Sequence, residues 1–267
     1  MMSVIFSMVS LFLLFLLLIR FAIYFPPDKK GNVRFPMMSG LVFKDASWIE
    51  PLSYRFLSQN EIRSIGTILA TEIHIHSNET SVQKSEKISS YLLRTLRDKR
   101  GEFTYVPYTN AYAMWVDVMA GNKSVACYDF ALLYAMISNI AGVSTRLVYL
   151  GPPFQVPYHT IDESYSEEEK KWFIVDLQYS LLHARDDRGV LLTTQEYKNA
   201  IQSHEIAKTR LTVGRDGQIK EMNMQDFFHL NPGLLGYFGT NSATSYRIFS
   251  KEDGQHIRQW SITWPGI

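Results

Sequence analysis

From Val4 to Phe25 the chain runs through 22 residues with one charge, Arg20, before Pro26-Pro27 ends the apolar pattern. As a helix this stretch spans roughly 33 Å, enough to cross a bilayer core. Arg20 lies near one end, where its stem can snorkel to the headgroups. The run lacks a basic n-region, a short apolar core and a small-x-small cleavage site, so it reads as a transmembrane anchor over residues 1–25 and not as a cleaved signal peptide. Lys29, Lys30 and Arg34 follow the span and favour a cytoplasmic domain, but a two-residue head leaves the side open. Residues 26–57 are punctuated by Pro and Gly and read as a linker and lead-in.

After that point the pattern becomes amphipathic. Ser58-Gln59-Asn60-Glu61 has the form of a capping box, and Ile62, Ile65, Leu69 and Ile73 follow at helical spacing. A second helix fits Val82–Arg97, with Val82, Ile88, Leu92 and Leu96 on one face. Cys127 opens an apolar helix to about Ile140, closed by Ala141-Gly142, where glycine suits a C-terminal cap. Thr145–Leu150 is β-branched and aromatic, as expected of a strand. Two more strands are expected around His159 and over Trp172–Leu177, separated by an acidic hairpin at Glu163–Lys171. Thr193-Thr194-Gln195-Glu196 is another capping box, starting a helix to about Ser203. Residues 58–203 therefore read as one α+β domain. Residues 204–267 alternate aromatics with turn signals and read as a C-terminal extension, either a β-rich lobe or a decoration of the main domain.

Charge and composition narrow the function. Lys and Arg number 27 and Asp and Glu 26, so there is no basic footprint for nucleic acid. A single cysteine excludes an internal disulfide and any CxxC site. No phosphate loop or dinucleotide fingerprint is present, so no cofactor is expected. His74-Ile75-His76 has the spacing of two metal ligands on a strand but lacks a third, so no metal is expected either. Asn78-Glu79-Thr80 and Asn122-Lys123-Ser124 match glycosylation sequons, a tripeptide common by chance.

The residues that suggest chemistry come in the order Cys127, His159, Asp176. A helix N-terminus and an imidazolium both favour a thiolate, and a carboxylate fixes the imidazole tautomer. A backbone N–H at the helix start can serve as half of an oxyanion hole. Each residue alone also has a plain structural reading: a small buried hydrophobe, a core histidine, a strand-end turn former.

The segment from Ser124 to Leu150 resembles the transglutaminase-like superfamily, in which G/S-x-x-C-x-D/E-x-A opens a helix and a Gly-hydrophobic-x-x-Arg-hydrophobic strand follows. His159–Glu163 is similar to the family's H-x-x-x-E strand, and Trp172–Asp176 to its W-x-x-V-D strand. The resemblance covers about residues 80–182. It implies a cysteine-protease-like (papain-like) fold with the Cys helix packed on an antiparallel sheet. It also implies Cys127 as nucleophile, His159 as general base and acid, and Asp176 as the orienting carboxylate. Departures fall at Ala126, Ile161 and Leu177. Arg146 reads as a structural ion-pair partner and Asp129 as a first-turn helix acid. Trp115 and Tyr105 are candidates to line a substrate groove, and Trp172 to pack beside the site.

Two readings of function follow. The first is a membrane-anchored thiol enzyme that attacks an amide or peptide carbonyl of a peptide, protein or glycopeptide, passing the acyl group to water or an amine. The second keeps the fold as a catalytically inactive binding or scaffolding module at a membrane. An acyltransferase using a thioester donor is disfavoured, because no donor-binding motif is recognisable.

Overall fold

The computed structural model describes residues 57–104, 106, 108, 110–150, 159–203, 205–215, 218–232 and 238, and the backbone alone of 41–43, 151, 243–252 and 255–263. The Val4–Phe25 run lies outside the described residues. Among those described, no helix is long and apolar enough to cross a membrane.

The capping boxes open helices where their chemistry dictates. Helix α1 (Gln59–Thr71) starts at Ser58, whose Oγ accepts the Glu61 N–H at 3.3 Å. It buries Ile65 and Leu69, and Ile73 is buried just beyond its end. Helix α2 (Ser81–Thr95) starts at Thr80 and Gln83 and ends two residues before the expected Arg97, giving way to a 3-10 turn at Arg97–Lys99. Helix α3 (Ala111–Met119) was not expected from the sequence. It is capped by Asn110, whose Oδ1 accepts the Ala113 N–H at 2.9 Å. Helix α4 (Cys127–Ile140) has the expected limits, and every residue from Asp129 to Ser138 is buried. Gly142 follows it with φ +83°, a left-handed conformation that glycine adopts without penalty.

The principal sheet is antiparallel, in the order β1 (Leu41–Phe43), β9 (Gln255–Thr263), β8 (Ala243–Glu252), β2 (Thr145–Gly151), β3 (His159–Ser166), β4 (Lys171–Val175). A smaller antiparallel sheet is formed by β5 (Leu181–Arg185), β6 (Arg210–Arg215) and β7 (Gln218–Asn223). Helix α5 (Thr194–Gln202) begins at its Thr193 capping box, and α6 (Met224–Leu230) at Asn223. The architecture is α+β. The chain after residue 203 shares both sheets with what precedes it, because β6 pairs with β5 and β8 with β2.

Strand alternation gives the principal sheet two buried faces. Leu147, Tyr149, Phe173 and Val175 join the core of α1–α4. Val148, Leu150, Ile161 and Ile174 pack with Tyr197, Leu211, Phe227 and Phe238 on the other side. The expected acidic hairpin is shorter than its acids suggested. The turn occupies only residues 167–170, and Glu163 is a fully buried strand residue. Arg146, its register partner on β2, neutralises it: Arg146 Nε donates to Glu163 Oε2 at 2.7 Å. The other carboxylate oxygen accepts the Thr194 N–H at 2.6 Å, tying the start of α5 to the sheet. Strand β4 stops at Val175, earlier than Leu177, because Asp176 caps a 3-10 turn at Leu177–Tyr179.

Candidate active site

Cys127 is the first residue of α4 and is half-buried. Ala126 stands at the N-cap and has no side-chain oxygen to offer the free N–H groups of the first turn. Asp129 takes part of that role. Its Oδ2 accepts the Ala126 N–H at 3.0 Å and faces Lys123 Nζ at 3.2 Å, both side chains being 3% exposed. Lys123 Nζ also donates to the Thr104 carbonyl at 2.9 Å and lies 5.8 Å from the Phe103 ring centre. Burial pushes the Asp129 carboxyl up, against the Ala126 N–H and the Lys123 ammonium, which hold it down.

His159 opens β3 and is 2% exposed. Its Nε2 donates to Asp176 Oδ2 at 2.7 Å, which leaves Nδ1 as the ring nitrogen for Cys127, its hydrogen-bond partner. The edge of Tyr179 meets the imidazole with ring centres 5.4 Å apart. Asp176 is held in turn: Oδ1 accepts the Tyr179 N–H at 3.4 Å, and its backbone exchanges two 2.8 Å bonds with Leu181. Arg100 braces the turn from outside, donating to the carbonyls of Gln178 at 3.3 Å and Leu177 at 3.4 Å.

The electrostatics follow from this arrangement. Burial is the largest influence on the Cys127 thiol and pushes it up. The His159 hydrogen bond and charge, with the Thr160 N–H, outweigh burial and bring the thiol below its usual value. Burial likewise disfavours the His159 cation. The charge and hydrogen bond of Asp176, and then Cys127, reverse that and raise the imidazole to about 9. Asp162, two strand positions before Ser164 on β3, is also buried and its Oδ1 has no partner among the described residues. Burial, and then the neighbouring Asp176 charge, push it well above its usual value.

The structure therefore brings Cys127, His159 and Asp176 into one hydrogen-bonded relay, and does not bring Trp115 or Trp172 to it. Trp115 is a core residue, 5% exposed, packed against Tyr91 with ring centres 6.3 Å apart. Trp172 lies beneath the Arg146 guanidinium at 4.2 Å and against Tyr165 at 5.3 Å, four residues upstream of Asp176 on an extended strand. Tyr105 lies outside the described residues. His74 turns into the left-handed region at φ 56° and its ring meets the Ala70 carbonyl. Among the described residues no three potential ligands cluster as a metal site. Four residues absent from the sequence expectations join the surroundings: Lys123, Arg100, Asp162 and Tyr179. Only Tyr179 carried a sequence signal, its place three residues after a turn-forming Asp.

No family model matches the chain, and no curated protein matches it. Two solved structures overlap it loosely. A candidate cysteine protease from Cytophaga hutchinsonii is 14% identical, with a TM-score of 0.34 over 76% of this chain and 58% of its own. A candidate protease from Parabacteroides distasonis is 9% identical, with a TM-score of 0.33 over 78% of this chain and 50% of its own. The chain thus spans little more than half of the one and half of the other.

Proposed function

We propose that this protein is a thiol-dependent enzyme of transglutaminase-like, cysteine-protease-like type, acting on an amide or peptide carbonyl through an acyl-enzyme on Cys127. The observation that carries this reading is the buried relay from the α4 N-terminus through His159 to Asp176, with the thiol lowered and the imidazole raised. In that relay the Cys127 thiolate attacks the carbonyl carbon, and the tetrahedral oxyanion is met by N–H groups at the helix start. His159 delivers its proton to the departing amine as the carbon–nitrogen bond breaks, leaving a thioester and a neutral imidazole. His159 then takes a proton from water or an acceptor amine, which attacks the thioester, and Cys127 leaves as the thiolate. Asp176 keeps the imidazole in one tautomer throughout. Hydrolysis is favoured over cross-linking, and the apolar run Val4–Phe25 supports attachment to a membrane.

The test is turnover of a panel of unstructured peptides and glutamine carboxamides by the full chain, followed as new amines or released ammonia. Wild-type protein is expected to act on at least one member, and Cys127→Ser to lose that activity while unfolding at the same temperature. Undiminished turnover in Cys127→Ser would overturn the proposal.

A further inference from the structure

Away from Cys127, a cleft of about 300 Å³ opens between the end of α2 with its following turn and the β6–β7 edge. Four arginines line it: Arg94, Arg97, Arg100 and Arg215. In a chain whose charges nearly cancel, four guanidiniums at one cleft are a local concentration and not a reflection of the whole surface. The dipole of α2 accounts for Arg94, which lies in its last turn. It does not account for the other three. Among the described residues Arg94, Arg97 and Arg100 have no carboxylate salt bridge: Arg94 lies 5.9 Å from the Tyr91 ring centre, and Arg100 is spent on carbonyls and Ser180 Oγ. Arg97 and Arg100 are near enough for their charges to oppose each other, although the Asp176 carboxylate acts on Arg100 more strongly in the other sense. Clustered like charges cost free energy when the cleft holds only solvent.

We propose that this cleft is a binding site for a phosphoryl group carried by a small molecule or a lipid headgroup. A dianion offsets the mutual repulsion better than a single carboxylate does. A tetrahedral phosphoryl group also accepts donors arriving from several directions, whereas one carboxylate is filled by one planar fork. Arginines line the cleft from two walls: Arg94 and Arg97 from α2 and its following turn, and Arg215 from β6. A compact cavity of this volume suits a phosphorylated headgroup better than an extended acidic peptide. The site is separate from Cys127, but Arg100 bonds the turn that Asp176 caps, so the cleft and the relay share one brace.

The test is calorimetric titration of the full chain with pyrophosphate, beside the double variant Arg94→Gln/Arg97→Gln and the control Arg63→Gln on α1. All three side chains replaced are exposed, so the variants are expected to keep the wild-type unfolding temperature. Binding is expected in wild type and in the control, at least about tenfold weaker in the double variant and weaker with added salt. Displacement of pyrophosphate by phosphatidylcholine vesicles containing phosphatidylinositol 4-phosphate, but not by plain vesicles, would assign the phosphoryl group to a lipid. Pyrophosphate binding without such displacement would assign it to a free small molecule. Absence of binding at millimolar pyrophosphate, equal affinity in the double variant, or tighter binding of a hexaglutamate peptide would overturn the proposal.

Discussion

At the scale of single residues, the site works through opposed influences on buried groups. Burial alone would make Cys127 an inert thiol and His159 a neutral ring. One hydrogen-bonded carboxylate, Asp176, turns the imidazole into a cation, and that cation lowers the thiol. The same logic holds the sheet together at Glu163, a fully buried acid answered by Arg146 from the next strand and by the Thr194 N–H. Removing Arg146 leaves that buried acid with the Thr194 N–H but without its cationic partner. Arg146→Ala is therefore expected to cost about 3 kcal/mol in urea unfolding, with Glu163→Gln in the Arg146→Ala background recovering part of the loss. Equal stability of Arg146→Ala and wild type would show that Glu163 is satisfied without its partner. The sequence marked Arg146 as an ion-pair partner, but it did not show that Glu163 was the other half. An acid among Asp162, Glu163, Glu167, Glu168 and Glu169 looks like part of a solvated turn until strand pairing buries it.

At the scale of elements, helix starts were legible where a capping box stands. Ser58, Thr80 and Thr193 each face a Glu or Gln three positions on, and each opens a helix. Helix α3 escaped because Asn110 caps alone and its short apolar stretch has no four-turn periodicity. Helix α4 is the important exception to local capping. Ala126 cannot cap it, and its own N–H beside Cys127 is held by Asp129, itself paired with Lys123. No periodic pattern announces Lys123, whose partner is set by the tertiary fold. Asp129→Ala removes an acceptor and strands a buried ammonium, so it is expected to cost about 3 kcal/mol. Lys123→Met added to it should be milder than the sum of the two single changes, because the uncompensated charge is then gone. Strict additivity in urea unfolding would contradict the clamp.

At the scale of the whole molecule, residues distant in sequence are joined by the sheet. The register of β3 on β4 puts Asp162 opposite Val175, so His159 and Asp176 converge past the same end of the pair. Helix α4 packs on β2 and β3 and delivers Cys127 to that end. The order Cys127, His159, Asp176 could be read from the chain because each residue sits at a boundary the pattern marks. The destinations of Trp115 and Trp172 could not, since an aromatic on a half-apolar face fits a core and a groove equally well. The role of residues 204–267 was equally hidden, because β6 and β8 are defined by partners far back in the chain, β5 and β2. Cys127 is the only thiol, so the relay can be read by a bulk measurement on the intact protein: the rate of iodoacetamide alkylation against pH, in wild type and in His159→Ala. An imidazolium beside the thiol means that the thiolate forms at lower pH, so the wild-type rate is expected to rise with a midpoint below the usual 9.0. In His159→Ala burial acts without its main opponent, and the midpoint should move up to that value or beyond it. A wild-type midpoint at or above 9.0, or one that His159→Ala leaves in place, would contradict the activated thiol on which the proposed function rests.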